Sequence, residues 1–200
     1  MQQLPTSVPS SHTLAGLAVP TEHPFNPGWY KLEGYVSEQG ENAGAVSFEG
    51  KELTLLVPEG SDVKTAVANA LVSQLSAAGI TLKLDIVPAA DYSARVTAGN
   101  YELYLGETAV PRTMDATYLY GAGGSMNYCG YYNEELEAAF VELREQGTGL
   151  EKYLDLFSNQ LPMIPVVYKM NAIYCANSLT GFSANTAWNS YGSFESVTIS

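Results

Sequence analysis

The sequence predicts an α/β fold. Between residues 52 and 107, short apolar segments alternate with longer amphipathic ones, and prolines and glycines stand at the joints between them. Strand–helix–strand–helix–strand at this spacing implies parallel strands joined by right-handed crossovers. The 200-residue length suits one domain with a real core.

Residues 1–50 stand apart from the rest. "QQLPTSVPSSH", "AVPTEHPFNPGW" and "SEQGENAG" are rich in Pro, Ser and Gly, without a sustained helical or strand period. This stretch reads as an arm wrapping the domain, with a flexible excursion around residues 37–44. The α/β lobe proper then occupies residues 51–200.

"ELTLLVP" is an apolar run ending in proline, the pattern of a buried strand. The following segment sets Val63, Ala66, Val67, Ala70, Leu71, Leu75 and Ala78 on one helical stripe. Ser61 is placed to cap that helix, Asp62 suits its positive end, and Gly79 can close it in the left-handed conformation. "TLKLDIV" alternates, with Leu82, Leu84 and Ile86 expected on one buried face. "PAADYSARVTAG" predicts a second helix, entered through proline and closed by Gly99. "YELYLGE" follows as a third strand, ending at Leu105.

Beyond Gly121 the order changes. "NEELEAAFVELREQG" puts Leu136, Ala139, Phe140 and Leu143 at helical spacing, with Asn133 as cap and Glu134 and Glu135 in the first turn. "GLEKYLDLFSNQLP" predicts another helix, burying Leu150, Tyr153, Leu154, Phe157 and Leu161 and stopped by Pro162. "MIPVVYKMNAIYCANS" reads as strand material, and "SYGSFESVTIS" as a tail holding a short terminal strand.

Composition removes several function classes. Twenty-one acidic residues against nine basic ones give a formal charge of −12. Nucleic acid and anionic membrane surfaces are poor partners for such a chain, since phosphates need clustered Lys and Arg. No apolar stretch reaches about 18 residues, so no span crosses a membrane, and residues 1–11 lack the pattern of a signal peptide. Fourteen tyrosines are the compositional anomaly. Their rings and hydroxyls suit wet binding surfaces as well as cores.

Enzymatic chemistry finds little support. No Walker, dinucleotide-binding, zincin or EF-hand motif occurs, and "GAGG" at 121–124 precedes no basic residue that would make it a phosphate cradle. Cys129 lies just ahead of a helix start, where a thiol can be activated. Its only histidine partners would be His12 and His23, both in the arm, so Cys129 is expected to be a small semi-buried hydrophobe. Cys129 and Cys175 could form one disulfide but make neither a framework nor a zinc site. No cofactor and no metal site are expected.

Three features in order carry a family resemblance. A strand and helix end in Ala-Gly-Ile before an alternating strand; "GNYELYL" follows; "NYCGYYNEEL" then turns into a helix, with "PMIPVVY" downstream. The chain resembles, across residues 53–174 and more weakly across 15–35, the C-terminal lobe of family 5 extracellular solute-binding proteins. These are the peptide- and nickel-type receptors of ABC transporters.

The resemblance implies one lobe of a two-lobed periplasmic-binding-protein type II fold, a mixed sheet flanked by helices. It implies capture of an extracellular solute, foremost an oligopeptide, and delivery to an ABC permease, with no catalysis. The full protein would be extracytoplasmic, a cell-surface lipoprotein or a periplasmic protein. This chain has the length of only one lobe, so the N-terminal lobe of a receptor and the lipoprotein signal are expected to be absent.

Ligands of open α/β sheets sit beyond the carboxyl ends of the strands. That rule directs attention to residues 106–132, where Glu107, Thr108, Arg112, Asp115, Asn127, Tyr128 and Tyr131 are the candidate ligand-binding residues. By the resemblance, Asp115 or Glu107 would hold a peptide's amino terminus. The loop lacks a Trp that the commoner version of it carries. Each candidate also has a structural alternative. Arg112 and Asp115 could pair with each other, Asn127 could brace the turn, and Tyr128 and Tyr131 could pack on the helix below. Of the turn residues, Asn127 and Tyr131 are expected to face outward.

Three rival functions remain. The same lobe serves as a sensor domain in some transcription regulators. An α/β hydrolase-like fragment would need Ser or Cys within hydrogen-bond reach of His12 or His23. An interaction domain would use exposed tyrosines to dimerise.

Overall fold

The computed structural model describes residues 18–33, 35, 50, 52–169, 176–181 and 196–199. The expectations for His12, for the excursion around 37–44, and for Cys175 and its disulfide lie outside the described residues. In chain order the elements begin with β1 (Ala18–Pro20) and a 3-10 turn (Tyr30–Leu32). β2 (Glu52–Pro58), α1 (Asp62–Ala77), β3 (Thr81–Val87), α2 (Ala89–Ala98) and β4 (Leu103–Tyr104) follow. Then come α3 (Thr117–Tyr120), α4 (Glu134–Gln146), α5 (Leu150–Gln160), β5 (Val167–Lys169), β6 (Leu179–Thr180) and β7 (Thr198–Ile199).

β2, β3 and β4 form a parallel sheet in the order β3-β2-β4. Antiparallel pairing occurs apart from it, in the β1–β5 and β6–β7 ribbons. β2 lies at the centre, so both of its faces are covered, and its apolar run is continuous rather than alternating. Leu55 and Val57 pack with Leu82 and with Ala68, Leu71 and Leu75 of α1, whereas Leu56 packs with Val87 and with Val96 of α2. The two crossover helices therefore cover opposite faces, as a chain that reverses direction after β3 requires.

The local signals behind this half act as predicted. Ser61 Oγ accepts from Lys64 N, and Gly79 and Gly99 both take positive φ where their helices end. Two expectations change. Ile86 is 49% exposed, because β3 is the edge strand and Ile86, at the last position of that face, has β2 on one side and no strand on the other. The third strand is only two residues long, and the chain peels away at Leu105, whose N–H still reaches Leu56 O.

The helical half is built on α3, α4 and α5. Asn133 Oδ1 caps α4 through Leu136 N, and Gly147 ends it. Leu136, Ala139, Phe140 and Leu143 face Tyr153, Leu154 and Phe157 of α5 in one aromatic-rich core. Leu161, expected in that core, is instead 56% exposed and closes α5 with φ +42. Its N–H bonds to Phe157 O, and its side chain points away from the stripe it would have continued.

The described part of the first fifty residues is packed. β1 pairs with β5 in the register Ala18↔Lys169 to Pro20↔Val167. Phe25 is fully buried between Trp29 and Tyr153, at ring distances of 4.8 and 5.2 Å. Tyr168 Oη donates to Pro24 O and Lys31 Nζ to Gly147 O, tying this stretch to both β5 and α4. Among the described residues, no helix is long and apolar enough to cross a membrane.

Candidate functional site

The sheet reverses its direction of growth between β2 and β4, and a crevice at the carboxyl ends of the strands is the geometric consequence. A cleft of about 190 Å³ lies there. Its walls come from the first turn of α1 (Lys64), the sheet-facing side of α2 (Tyr92, Val96), the end of β4 and the residues after it (Tyr104, Glu107) and the later loop (Met126, Tyr128). Tyr104 meets Tyr101 and Tyr128 edge-on, at 4.8 and 6.4 Å between ring centres. Tyr92 donates its hydroxyl proton to Leu105 O, and Lys64 Nζ stands 6.0 Å from the Tyr92 ring centre. Burial pushes the Tyr92 hydroxyl up to about 12, helped by the neighbouring Tyr104 and Tyr128.

Glu107 is fixed by two cations. Its Oε2 is 3.5 Å from Lys64 Nζ, and its Oε1 accepts from Lys169 Nζ at 3.2 Å. Burial raises its pKa, but the Lys169 hydrogen bond and the two lysine charges outweigh that, so the carboxyl sits below its ordinary range. The carboxylate thus joins α1 to β5 at the cleft wall.

The other candidates do not converge on this cleft: Thr108, Arg112, Asp115, Asn127 and Tyr131 are absent from its lining. Tyr128 lines it with Glu107. Thr108 Oγ1 contacts Tyr118 Oη at 3.1 Å and Met126 Sδ at 3.8 Å, so it staples the loop together. Arg112 is exposed at the corner of a turn in which Met114 N reaches Pro111 O. It does not pair with Asp115. Asp115 Oδ1 instead accepts from Thr117 N and Thr117 Oγ1 in the turn that leads into α3, while Oδ2 lies 3.8 Å from Arg144. Met114, at φ +59 and buried, turns the chain so that Asp115 points inward.

Asn127 organises the turn of residues 121–131. Its amide donates to Gly121 O and Tyr131 O, while Oδ1 accepts from Tyr131 N and from Cys129 Sγ. All of these partners are in the turn itself, so the expectation that Asn127 faces outward is corrected: its side chain is the brace. Tyr131 is corrected too. It packs on the helical core, and its hydroxyl is buried without a hydrogen-bond partner. Cys129 is exposed rather than semi-buried, its thiol reaching Asn127 Oδ1 at 3.4 Å. Gly121 and Gly124 are required by close approach. A Cβ at Gly124 would stand 2.6 Å from Tyr118 O, and one at Gly121 2.8 Å from Thr117 O. The "GAGG" run thus lets the chain fold back across α3.

The His23 ring lies 3.5 Å from Thr21 Oγ1, with no Ser or Cys partner among the described residues, and burial lowers its pKa. Also among the described residues, no group of three His, Cys, Asp or Glu side chains could hold a metal ion. Sequence reasoning missed Lys64, Tyr92 and Tyr104 as cleft residues. Lys64 and Tyr92 lie in the first turns of the helices that follow β2 and β3, so the carboxyl-end rule that selected residues 106–132 would also have found them.

No protein-family model matches this sequence, and no curated protein does. Solved structures do. The ABC transporter-associated periplasmic binding protein DppA from Helicobacter pylori, in complex with the peptide STSA, is 16% identical. It superposes with a TM-score of 0.64 over 94% of this chain and 40% of its own. NikA from Staphylococcus aureus, in complex with Ni(L-His)2, matches at 0.60 and 16% identity over 80% of this chain and 38% of its own. OppA from Burkholderia pseudomallei matches at 0.53 and 22% identity, over 66% of this chain and 28% of its own. The chain thus spans well under half the length of these structures. At these identities the likeness establishes the fold: an α/β lobe of the periplasmic-binding-protein type II class, as the sequence resemblance implied.

Proposed function

We propose that this chain is the ligand-binding lobe of a solute receptor that captures an extracellular solute, foremost an oligopeptide, and passes it to an ABC permease. The observation carrying the proposal is the cleft at the reversal point of the parallel sheet, walled by tyrosines and by the Lys64–Glu107 pair. Tyrosine supplies apolar area to an extended ligand and a hydroxyl for its backbone polar groups. The lobe works opposite a second lobe, and closure of the two around the solute buries what one wall leaves open. Capture needs no bond to be made or broken, so the role is binding without catalysis. The location that suits it is extracytoplasmic, as a periplasmic or lipid-anchored receptor.

The peptide assignment is favoured over a nickel cargo because the cleft offers rings and an ion pair rather than imidazole or thiolate ligands. The test is a melting-temperature screen of the 200-residue chain against millimolar tetrapeptides, sugars and nickel ion, since a ligand that binds only the native state raises the midpoint. Tetrapeptides are expected to raise it and the other classes to leave it unchanged. A response to sugars or nickel alone would reassign the ligand, and a flat response to all would overturn a binding role for this cleft.

A further inference from the structure

The open edge of β3 is complementary to itself, and we infer that two copies of this chain associate through it, joining their sheets antiparallel at Leu84. Among the described residues, β3 pairs with β2 alone. The direction of its remaining polar groups follows from the ladder. Val87 O accepts from Glu59 N on the β2 side, and main-chain groups alternate in direction along a strand. Thr81, Lys83, Asp85 and Val87 therefore turn their N–H and C=O groups toward β2, and Leu82, Leu84 and Ile86 turn theirs outward. An edge of this kind is ordinarily blunted by a proline, a bulge or a very short strand. β3 has none of these: TLKLDIV runs seven residues in unbroken register with β2, and Pro88 stands only beyond its end.

Charge selects both the occupant and the register. In an antiparallel pair, residues with outward polar groups face one another, so Leu82, Leu84 and Ile86 of one copy must face members of the same set in the other. With Leu84 facing Leu84 on a two-fold axis, Leu82 faces Ile86 and Lys83 faces Asp85. The Lys83–Asp85 positions form a non-hydrogen-bonded pair, the kind in which side chains come closest. Sliding the second copy two residues either way would set Lys83 against Lys83 or Asp85 against Asp85, and like charges directly opposite are destabilising.

Within one copy, Lys83 meets Glu52 at 2.6 Å and Asp85 meets Arg95 at 2.7 Å. Across the axis the two pairs join into a row of alternating sign, Glu52 and Lys83 from one copy, then Asp85 and Arg95 from the other. The row sums to zero in a chain of −12, so a partner of one dominant charge finds nothing here to recognise, whereas a second copy presents the matching row. On the other face of the sheet, Ile86 of each copy rests against Leu82 of the second copy, covering a side chain that is 49% exposed in the single chain. The surface is thus a strand edge, not the exposed tyrosines expected of an interaction domain. The joined sheet has the order β4-β2-β3-β3-β2-β4, and its antiparallel halves carry their clefts at opposite ends.

The experiment measures the mass of the 200-residue chain by sedimentation equilibrium from about 5 to about 500 µM, a range suited to a small interface. Salt of about 0.15 M screens the repulsion of two acidic bodies beyond about 8 Å. The mass is expected to pass from one copy to two. Lys83→Glu and Asp85→Lys each place like charges opposite one another on both sides of the axis, and each should weaken association at least about tenfold. Mixed in equal amounts, these two variants are complementary at both positions and should recover the association that each has lost alone. Ile86→Lys, at a position the single chain leaves exposed, should weaken association without lowering the melting temperature. A mass of one copy across the whole range overturns the inference, as does a dimer that all three variants leave intact. Charge variants that lose association singly and do not recover it on mixing overturn the register, and the inference with it. Where a charge variant fails to melt cooperatively, Ile86→Lys alone decides: an unweakened dimer overturns the inference.

Discussion

Leu56 and Phe157 are both almost fully buried, yet what surrounds them differs. Leu56 is enclosed by Val87, Val96 and Tyr104, contributed by the strands and helix that follow it within fifty residues of chain. Phe157 sits in a core that also requires Phe25, brought from near the start of the chain. The sheet half is a local construction of capped helices and paired strands. The helical half is completed only by a distant segment and contains a buried hydroxyl pair, Tyr120 Oη to Tyr153 Oη. Regular periods place the first kind of core; only side-chain chemistry at long range places the second.

The strongest way to break this contrast is Phe25→Ala. Removing a fully buried aromatic ring should cost about 3–5 kcal/mol in denaturant unfolding. Amide exchange should rise across α4 and α5 while β2 keeps its protection. A loss below about 1 kcal/mol would mean that the helical half does not depend on the segment around residue 25.

A smaller effect belongs to the tyrosine pair. Tyr120→Phe or Tyr153→Phe leaves the partner hydroxyl buried and unsatisfied, a cost of about 1–3 kcal/mol. The double substitution should cost less than the two singles combined, because it removes both polar groups at once. Strict additivity in the double-mutant cycle would show that the hydroxyls do not depend on each other.

The smallest effect is confined to high pH and sharpens the sheet half. An unfolded Tyr92 loses its proton near 10, whereas burial holds the native group to about 12. Between those values the native state binds the proton that the unfolded state has released, so stability is full below pH 10 and falls as pH rises towards 12. Tyr92→Phe should flatten that fall, measured as unfolding free energy at several alkaline pH values. An unchanged slope would assign the alkaline loss to the other tyrosines that burial raises, Tyr168 and the Tyr120–Tyr153 pair among them.

Most of the sheet half was legible because its signals act over a few residues. Ser61, Gly79 and Gly99 mark the helix ends, and the apolar runs mark the strands. The failures have physical causes. Ile86 satisfies the period but lies on an edge strand, and order within a sheet is not written in any one strand. Leu161 satisfies the helical stripe, but the helix has ended before it. Helix α3, four residues long, offers no periodicity to detect. The site was legible only in part. Asn127 with a glycine three residues on is an ordinary turn signal, and the brace could be anticipated from it. The lysines that neutralise Glu107 come from α1 and β5, and no local spacing announces partners that far apart.

The β1–β5 ribbon has a consequence for how the chain finds its fold. The bond from Tyr168 Oη to Pro24 O spans 144 residues of sequence, among the longest closures in the molecule. The entropy lost in closing such a loop grows only with the logarithm of its length once the interior is disordered, and shrinks when the interior has already condensed. The β2–α1–β3 unit, with its short-range contacts, should therefore organise first, and the ribbon should zip shut afterwards over a chain already made compact. On the return path the order reverses. Val19 and Tyr168 should lose amide protection before Leu55 does, so the ribbon acts as the slow-forming and first-opening clasp of the fold.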